Sequence, residues 1–490
     1  MSPRIRLCLA LALLGIAACG GDLEPGGGDS GASGEDLGGD GGGSGGSPDV
    51  PAPGVSPGGA EDIAYARELI EQGQVPPGDV ITVEGLLSEH DLPTADEPCE
   101  SLLCSRPALG VAPWFETGEP AYWLHLGMAT GLAADFERPP LDLVVGIDKS
   151  GSMSIDMAET TEAVSRMIAK LRPDDRIAVF AFDNAIHELH PLGPVEDADA
   201  LVAQVRALQA EGGWDMQKAT RHAYQIAAAS PSEGRLERVM FLSCGYPAVS
   251  QDGNDEFSQL VTEHGAAGVG TSFFGVLLGY DGALADLLGR AHGGSYYYLE
   301  DLARVTEVFD LDFDLMVTPL AYDLQFALEV GIGFRLEGVH GVPGDEAGEP
   351  RAEIDVSTVF RSRRRGGVVA RLSRVDPEIT EIGEVTLSYT PEPALGWTEA
   401  EEQTAAIALP SNDEDPGETV GVRKAAFLVN QAEAMRDACD AFHAGDAAGA
   451  RALLERLLAI LVPEAEGLAE DAITAEVALV EKLLANMGAE

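Results

Sequence analysis

The chain has 490 residues, of which 82 are Asp or Glu and 31 are Lys or Arg, so its formal net charge is −51 at pH 7. With 45% hydrophobic residues, a chain of this length can form more than one packed domain, which excludes disorder throughout. Nucleic acids and anionic membrane surfaces are excluded as partners of the folded part, because both are bound through clustered Lys and Arg.

The first residues have the features of a bacterial export signal. Two Arg precede an apolar run from Leu7 to Ile16, which is shorter than the roughly 20 residues that a membrane-spanning helix needs. The run Ile16-Ala-Ala-Cys19 resembles a lipobox. The resemblance implies a lipoprotein signal peptide at residues 1–18 and a lipid on the Cys19 thiol. An ordinary secretory signal is the alternative. In a Gram-negative host, the Gly after the Cys implies the outer membrane.

The segment 19–60 is rich in Gly, Ser, Asp and Pro and contains almost nothing to bury. This composition predicts a disordered tether. As a flexible coil, the tether has a root-mean-square reach of roughly 35 Å, which is enough to hold a folded body away from a lipid surface.

The segment 61–140 begins with a helical pattern and is predicted to form an N-terminal extension. Cys99 and Cys104 are close enough in sequence to pair in an oxidising compartment. We therefore expect a small loop disulfide, with free thiols as the alternative.

Residues 141–318 alternate short apolar runs with amphipathic segments. Buried strands are predicted at Leu143–Ile147, Ile177–Ala181 and Val239–Leu242, with helical patterns between them. This alternation predicts an α/β fold with a doubly wound, mostly parallel sheet covered by helices on both faces. Ligands of such sheets bind beyond the carboxyl ends of the strands.

The pattern changes after this domain. Segment 319–410 contains six apolar runs separated by Gly and Pro turns, which predict an added antiparallel β-sandwich. Segment 411–490 has helical spacing of Ala, Leu and Val and is predicted to form a C-terminal helical region of two or three helices, with Pro463 starting a new segment.

One motif brings together side chains that could bind a metal ion. The strand that ends at Ile147 runs directly into Asp148, Ser150 and Ser152, which alternate on a tight loop. One carboxylate and two hydroxyls are therefore expected at the carboxyl edge of the sheet. Hard oxygen ligands at this spacing suit Mg²⁺, Mn²⁺ or Ca²⁺.

This motif resembles the metal-ion-dependent adhesion site of the von Willebrand factor type A (VWA) family, which begins with Asp-x-Ser-x-Ser after the first strand. The resemblance implies a VWA domain at residues 141–318, in a bacterial lipoprotein that binds protein partners in adhesion or assembly. Two positions depart from the family pattern. Trp214 replaces the usual Thr of the second loop, and Cys244 replaces the usual Asp of the third loop.

These departures leave two roles open for the loop. In the first, Asp148, Ser150 and Ser152 hold a divalent cation whose coordination a partner's acidic side chain completes. In the second, the carboxylate accepts backbone N–H bonds and the site serves only folding. Trp214 is either an exposed anchor for a partner or a plug that fills the vacated space.

Catalysis is not predicted. Asp148 could act as the nucleophile of a phosphotransferase, but Ser150 stands where a second carboxylate would act as acid or base. Cys244 could act as a nucleophile with His222 or His264, although a single Cys among scattered His is typical of a packed thiol. The sequence therefore predicts a non-enzymatic, lipid-anchored envelope protein that binds proteins. A metal-independent scaffold is the second hypothesis and a hydrolase the third.

Overall fold

The computed structural model describes residues 54–488, with gaps at 61, 134, 230–233, 251–252, 277–280, 300–301, 343–350, 380, 398–400, 408 and 410–415. The predicted signal peptide at 1–18, the lipidation residue Cys19 and most of the predicted tether lie outside the described residues. Among the helices that are described, none combines the length and the apolar character needed to cross a lipid bilayer.

The described residues form sixteen strands and twelve α-helices. The strands are β1 (Gly54–Pro57), β2 (Gly59–Ala60), β3 (Leu103–Pro113), β4 (Pro120–Thr130), β5 (Leu141–Asp148), β6 (Arg176–Phe182), β7 (Ile186–Gly193), β8 (Leu236–Ser243), β9 (Val269–Val276), β10 (Ser295–Leu299), β11 (Pro319–Val330), β12 (Phe334–His340), β13 (Arg351–Ser362), β14 (Gly367–Arg374), β15 (Gly383–Pro391) and β16 (Glu401–Ile407). The helices are α1 (Ala64–Glu71), α2 (Val83–Ser88), α3 (Met157–Lys170), α4 (Ala198–Arg206), α5 (Met216–Ala228), α6 (Glu256–Ala266), α7 (Gly282–Arg290), α8 (Leu302–Thr306), α9 (Phe313–Met316), α10 (Pro416–His443), α11 (Ala447–Leu468) and α12 (Asp471–Asn486).

The central sheet has seven strands in the order β2-β10-β9-β8-β5-β6-β7. Neighbouring strands are parallel except for β7, which runs antiparallel to β6 at one edge. The chain places β6 on one side of β5 and β8 on the other, so a crevice opens at the carboxyl ends of β5 and β8. The predicted doubly wound, mostly parallel fold is confirmed.

Helices cover both faces of this sheet, because successive residues of β5 point to opposite faces and apolar side chains occur on each face. Val145 belongs to a buried cluster with Met167 of α3. Its neighbour Val144 points to the other face and belongs to a cluster with Tyr224 of α5. Every residue of β5 is buried, as expected for a central parallel strand. The position of its last residue is therefore fixed by packing on two sides.

The remaining strands form a β-sandwich of two antiparallel sheets with one shared core. One sheet has the order β1-β13-β11-β15-β16, and the other has the order β12-β14-β4-β3. Leu126 of β4 and Phe326 of β11 belong to the same buried cluster. All six strands expected in segment 319–410 are present.

The boundaries of two predicted segments differ from the structure. The sandwich also uses β1, β3 and β4, so it is not confined to segment 319–410. The predicted tether, 19–60, extends too far, because β1 pairs with β13 and β2 pairs with β10. Both differences arise because pairing with distant strands buries these short segments, which composition alone does not reveal.

Cys99 and Cys104 are joined by a disulfide at the start of β3, with their Cα atoms 5.8 Å apart. Cys244 and Cys439 are buried free thiols.

Helix α10 packs on the outer face of the four-stranded sheet and against α2, while α11 packs against α10 and α12, and α12 packs against α1. Phe427 of α10 and Trp123 of β4 belong to one buried cluster. The expected start of a new segment at Pro463 is wrong, because Pro463 lies inside α11. Although a proline removes one helical hydrogen bond, the buried face through Leu461 and Ala465 continues past it and holds the helix together.

A buried ion-pair network joins the N-terminal extension to the C-terminal helices. Glu476 of α12 accepts hydrogen bonds from Arg67 Nη2 at 2.7 Å and Gln431 Nε2 at 2.6 Å, and His90 Nε2 lies 3.0 Å from its Oε1. Burial favours a neutral carboxyl, but the contacts with His90, Arg67 and Gln431 outweigh it and lower the pKa of Glu476 to about 2. Glu89, His90 and Glu476 are grouped closely enough to suggest a metal site, yet Arg67 pairs with both carboxylates. The group is therefore an ion-pair network.

We expect Glu476→Gln to lower the free energy of unfolding by about 2 kcal/mol at pH 7, because it removes one of the two carboxylates that pair with Arg67 and leaves His90 and Gln431 without their charged acceptor. The folded-state pKa lies below the ordinary value of 4.5, so the carboxylate stabilises the fold fully above about pH 4.5. This stabilisation falls away as the pH drops towards 2. Urea unfolding followed by tryptophan fluorescence between pH 7 and pH 3 measures the difference from the wild type.

The control is Glu481→Gln, at an exposed position of the same helix, which should change the stability by less than about 0.5 kcal/mol. Equal effects of the two substitutions would show that the network contributes no stability.

Candidate functional site

The Asp-x-Ser-x-Ser loop leaves the carboxyl end of β5, at the crevice of the central sheet. Asp148 is the last residue of β5, and a short 3₁₀ turn at Gly151–Ser154 then leads towards α3. The structure brings all three predicted residues together. The Ser150 N–H donates to Asp148 Oδ1 at 2.8 Å, and the hydroxyl oxygens of Ser150 and Ser152 are 2.9 Å apart.

Ser243, at the end of β8, completes the surroundings of the buried carboxylate. Its hydroxyl donates to Asp148 Oδ2 at 2.6 Å, so both carboxylate oxygens accept a hydrogen bond. Asp148 and Ser243 are both 0% exposed. Ser243 therefore binds the carboxylate directly.

Cys244 occupies the position at which the family carries an Asp. Its thiol donates to Ser152 Oγ at 3.1 Å and packs in a small cluster with Met153 and Met157. Burial, together with the nearby charges of Asp148 and Asp156, raises the pKa of the Cys244 thiol. The thiol is therefore neutral at physiological pH.

Trp214 lies two residues before the start of α5 and combines features of the two predicted roles, a plug and an exposed anchor. Its indole N–H points inward, with Nε1 3.4 Å from Ser243 Oγ. The residue is nevertheless 39% exposed. The carboxylate of Asp215, the next residue, caps α5 by accepting a hydrogen bond from the Lys218 N–H at 3.0 Å. Asp215 therefore serves the helix start.

Lys149, the residue after Asp148, supplies a positive charge beside the loop. Its Nζ lies 3.3 Å from Asp183 Oδ2 and 3.1 Å from Glu211 Oε1. Burial of Asp183 favours its neutral form, but hydrogen bonds from the Ala185 N–H, His187 and Lys149 outweigh it and lower the pKa of Asp183 to about 2. The signal in the sequence was a Lys directly after the motif's Asp.

The donor set does not fit Mg²⁺, Mn²⁺ or Ca²⁺. These cations prefer six or more oxygen ligands with several carboxylates. Here Asp148 is the only carboxylate within the motif, and protein donors already bind both of its oxygens. A nearby buried carboxylate, Asp156, has one oxygen without a hydrogen-bond partner. Burial and the charge of Glu159 raise the pKa of Asp156 to about 6, which weakens it as a hard ligand.

The predicted catalytic alternatives gain no support from the geometry. The Cys244 thiol is hydrogen-bonded to Ser152, while His222 packs edge-on against Phe180 and His264 stacks on Tyr224. Neither imidazole is placed as a base for the thiol. Asp148, held by two donors, is not placed to attack a substrate.

The topology and the loop define an open α/β domain with a crevice at the carboxyl ends of β5 and β8. Residues 142–311 match the profile of the von Willebrand factor type A domain. The chain thus carries a VWA domain at residues 142–311. Domains of this family commonly mediate protein–protein interactions, are generally non-enzymatic and often bind divalent cations.

Three similar proteins place this domain in context. Uncharacterized protein sll0103 of Synechocystis sp. is 30% identical over 133 residues, which are 26% of this chain and 31% of the relative. A solved von Willebrand factor type A protein from Catenulispora acidiphila has 18% identity and a TM-score of 0.47, covering 79% of this chain and 90% of its own. The ArnB paralog VWA2 from Sulfolobus acidocaldarius has 15% identity and a TM-score of 0.40, covering 79% and 97%.

We expect calorimetric titration of the full chain with Mg²⁺, Mn²⁺ or Ca²⁺ to show no binding up to millimolar concentration, because Asp148 is the only carboxylate of the motif and protein donors already bind both of its oxygens. The double variant Trp214→Thr, Cys244→Asp restores the two residues that the family pattern carries. It should bind Mg²⁺, and Mg²⁺ should raise its melting temperature. Binding by the wild type would contradict the assignment of the loop as a hydrogen-bonded structure.

Proposed function

We propose that this chain is a non-enzymatic, lipid-anchored protein of the bacterial envelope whose VWA domain binds protein partners without a cation. The observation that carries the proposal is the pair of hydrogen bonds to Asp148, from the Ser150 N–H and the Ser243 hydroxyl. These two hydrogen bonds satisfy the buried carboxylate, so no metal ion is needed at the position where the family places one.

The loop is held rigidly enough to act as a binding surface. Backbone bonds tie it to its neighbours, from the Lys149 N–H to the Phe182 carbonyl at 2.9 Å and from the Glu211 N–H to the Lys149 carbonyl at 2.7 Å. Ile155, at the edge of the same loop, is 83% exposed. Loops fixed on a rigid sheet are typical positions for recognition, and an exposed apolar side chain there favours contact with a partner.

The proposed location rests on the leader and on the disulfide. The lipobox-like run that ends at Cys19 supports acylation, and the Gly that follows it supports the outer membrane of a Gram-negative host. The disulfide between Cys99 and Cys104 suits an oxidising compartment outside the cytoplasm. Membrane contact is then through the lipid alone, because the strongly acidic body is repelled by anionic headgroups.

The location is tested by expressing the full chain and Cys19→Ala in a Gram-negative host. We expect the wild type in the membrane fraction, with a mass shift from acylation, and the variant in the soluble fraction, because it lacks the thiol that carries the lipid. Cys8→Ala, at a Cys that is removed with the leader, is the matched control and should behave as the wild type. Equal partition of all three proteins would contradict the lipid anchor.

Partner binding is tested by affinity capture from envelope extracts with the full chain, in the presence of Mg²⁺ or of a chelator. We expect the same proteins in both conditions, since no cation takes part, and reduced capture with Ile155→Asp. Ile332→Asp, at a distant exposed position, is the control. Capture that is lost in the chelator would contradict metal independence.

A metal-independent scaffold is the second candidate, favoured by the complete burial of Asp148. Asp148→Ala separates the two candidates because it removes the acceptor of two buried donors. Lower stability with unchanged capture favours the scaffold, in which the loop serves folding alone.

A further inference from the structure

An apolar pocket lies directly beside the Asp-x-Ser-x-Ser loop. Its volume is about 260 Å³, and it opens between the N-terminal ends of α5 and α6. Trp214, Met216, Phe257 and Leu260 supply apolar walls. Trp214 also contacts Ser243, so the pocket is continuous with the site at which the family binds its ligands.

The size of the pocket favours a side chain as its occupant. Pockets for drug-sized molecules and cofactors measure roughly 300–1,000 Å³, so this pocket is small for either. In protein interfaces, large apolar side chains that fill such pockets supply much of the binding energy. The pocket therefore fits one protruding side chain of a protein partner.

The surroundings of the pocket carry more negative than positive charge. Three carboxylates line it, from Asp215, Asp255 and Glu256. Burial of Asp255 favours its neutral form, but hydrogen bonds from Ser258 and Ser250 outweigh it and lower its pKa to about 2. The acids of the pocket and the adjoining loops are Asp148, Asp156, Asp183, Glu211, Asp215, Asp255 and Glu256, and the bases are Lys149, Lys218 and Arg221. Seven acids against three bases leave a formal net charge of −4.

The positive N-terminal ends of α5 and α6 do not reverse the net negative charge around the pocket. Asp215 caps α5 and Asp255 caps α6, each by accepting a hydrogen bond from a first-turn N–H. The helix-end amides that would attract an anion are thus partly satisfied by the protein's own carboxylates. An acidic residue of a partner would meet repulsion here, whereas a Lys or Arg would be attracted.

We infer that this pocket receives a large apolar side chain of a protein segment that is flanked by Lys or Arg. This inference rests on the proposed function and names the chemistry of the partner. It reverses the charge expected for a cation-dependent site, where the partner supplies a carboxylate. The reversal follows from the two replaced residues. Neither the thiol of Cys244 nor the indole of Trp214 is a ligand for a hard cation. The indole of Trp214 instead forms a wall of the pocket.

Fluorescence anisotropy with four labelled peptides tests the inference on the full chain. The peptides have the cores Lys-Lys-Phe-Lys-Lys, Lys-Lys-Ala-Lys-Lys, Glu-Glu-Phe-Glu-Glu and Glu-Glu-Ala-Glu-Glu. We expect the first to bind most tightly and the change from Phe to Ala to weaken binding about fivefold or more. Binding of the first peptide should also weaken with added salt.

Two variants of the protein locate the binding. Trp214→Ala removes a wall and should weaken binding of the Lys-Lys-Phe-Lys-Lys peptide about fivefold. Gln217→Arg adds a positive charge at an exposed position of the pocket rim and should weaken it about threefold while improving binding of Glu-Glu-Phe-Glu-Glu. Ile332→Ala, at an exposed position in the turn between β11 and β12, is the control and should bind as the wild type.

The inference is overturned if the Glu-flanked Phe peptide binds as tightly as the Lys-flanked one. It is also overturned if the pocket variants bind like the control, or if no peptide binds at millimolar concentration. A captured envelope protein that contacts this face through an acidic segment would remove the inference and leave the proposed function standing. If affinity capture yields no protein whose binding is reduced by Ile155→Asp, the proposed function is contradicted. The peptide measurements still test the inference about the pocket in that case.

Discussion

A buried carboxylate that must be stabilised is the constraint on which this site depends. Asp148 ends a strand that is packed on both faces, so its charge cannot be moved into water. An uncompensated charge in such a place costs several kcal/mol. Here the compensation comes from a backbone N–H within the loop and from the hydroxyl of Ser243 on the neighbouring strand. The carboxylate thereby fastens the end of β5 to the end of β8, a task that a metal ion would otherwise perform.

The two departures from the family pattern are consistent with this arrangement. A neutral Cys244 beside Asp148 removes the repulsion that a second carboxylate would bring without a cation, and its packing against Met153 fills the space with apolar atoms. Trp214 adds an indole that contacts Ser243 and remains partly exposed. The outcome is a surface with apolar walls and acidic edges.

The sequence predicts those parts of the molecule that depend on neighbouring residues. The loop after Ile147 follows from an apolar strand running into alternating Asp and Ser, which is a local pattern. The pattern does not predict β3 and β4 as part of the sandwich, because β4 joins the sheet through β14, which lies more than 200 residues away along the chain, and β3 joins it through β4. The intrinsic preference of Pro463 predicts a boundary, which helix packing overrides. The contact between Ser243 and Asp148 could not be predicted, because it depends on which rotamers two adjacent strand ends allow.

The entry of the chain into the folded body has a mechanical consequence. Gly54–Pro57 forms an edge strand of the sandwich, and Gly59–Ala60 forms an edge strand of the central sheet, with one residue between them. A pull on the chain upstream of Gly54 is therefore borne first by the short ladder between β1 and β13. Only after that ladder has peeled away does the load reach β2 and the sheet that carries the binding loop. The Asp-x-Ser-x-Ser loop is thus separated from tension on the upstream chain by a strand of four residues that detaches first.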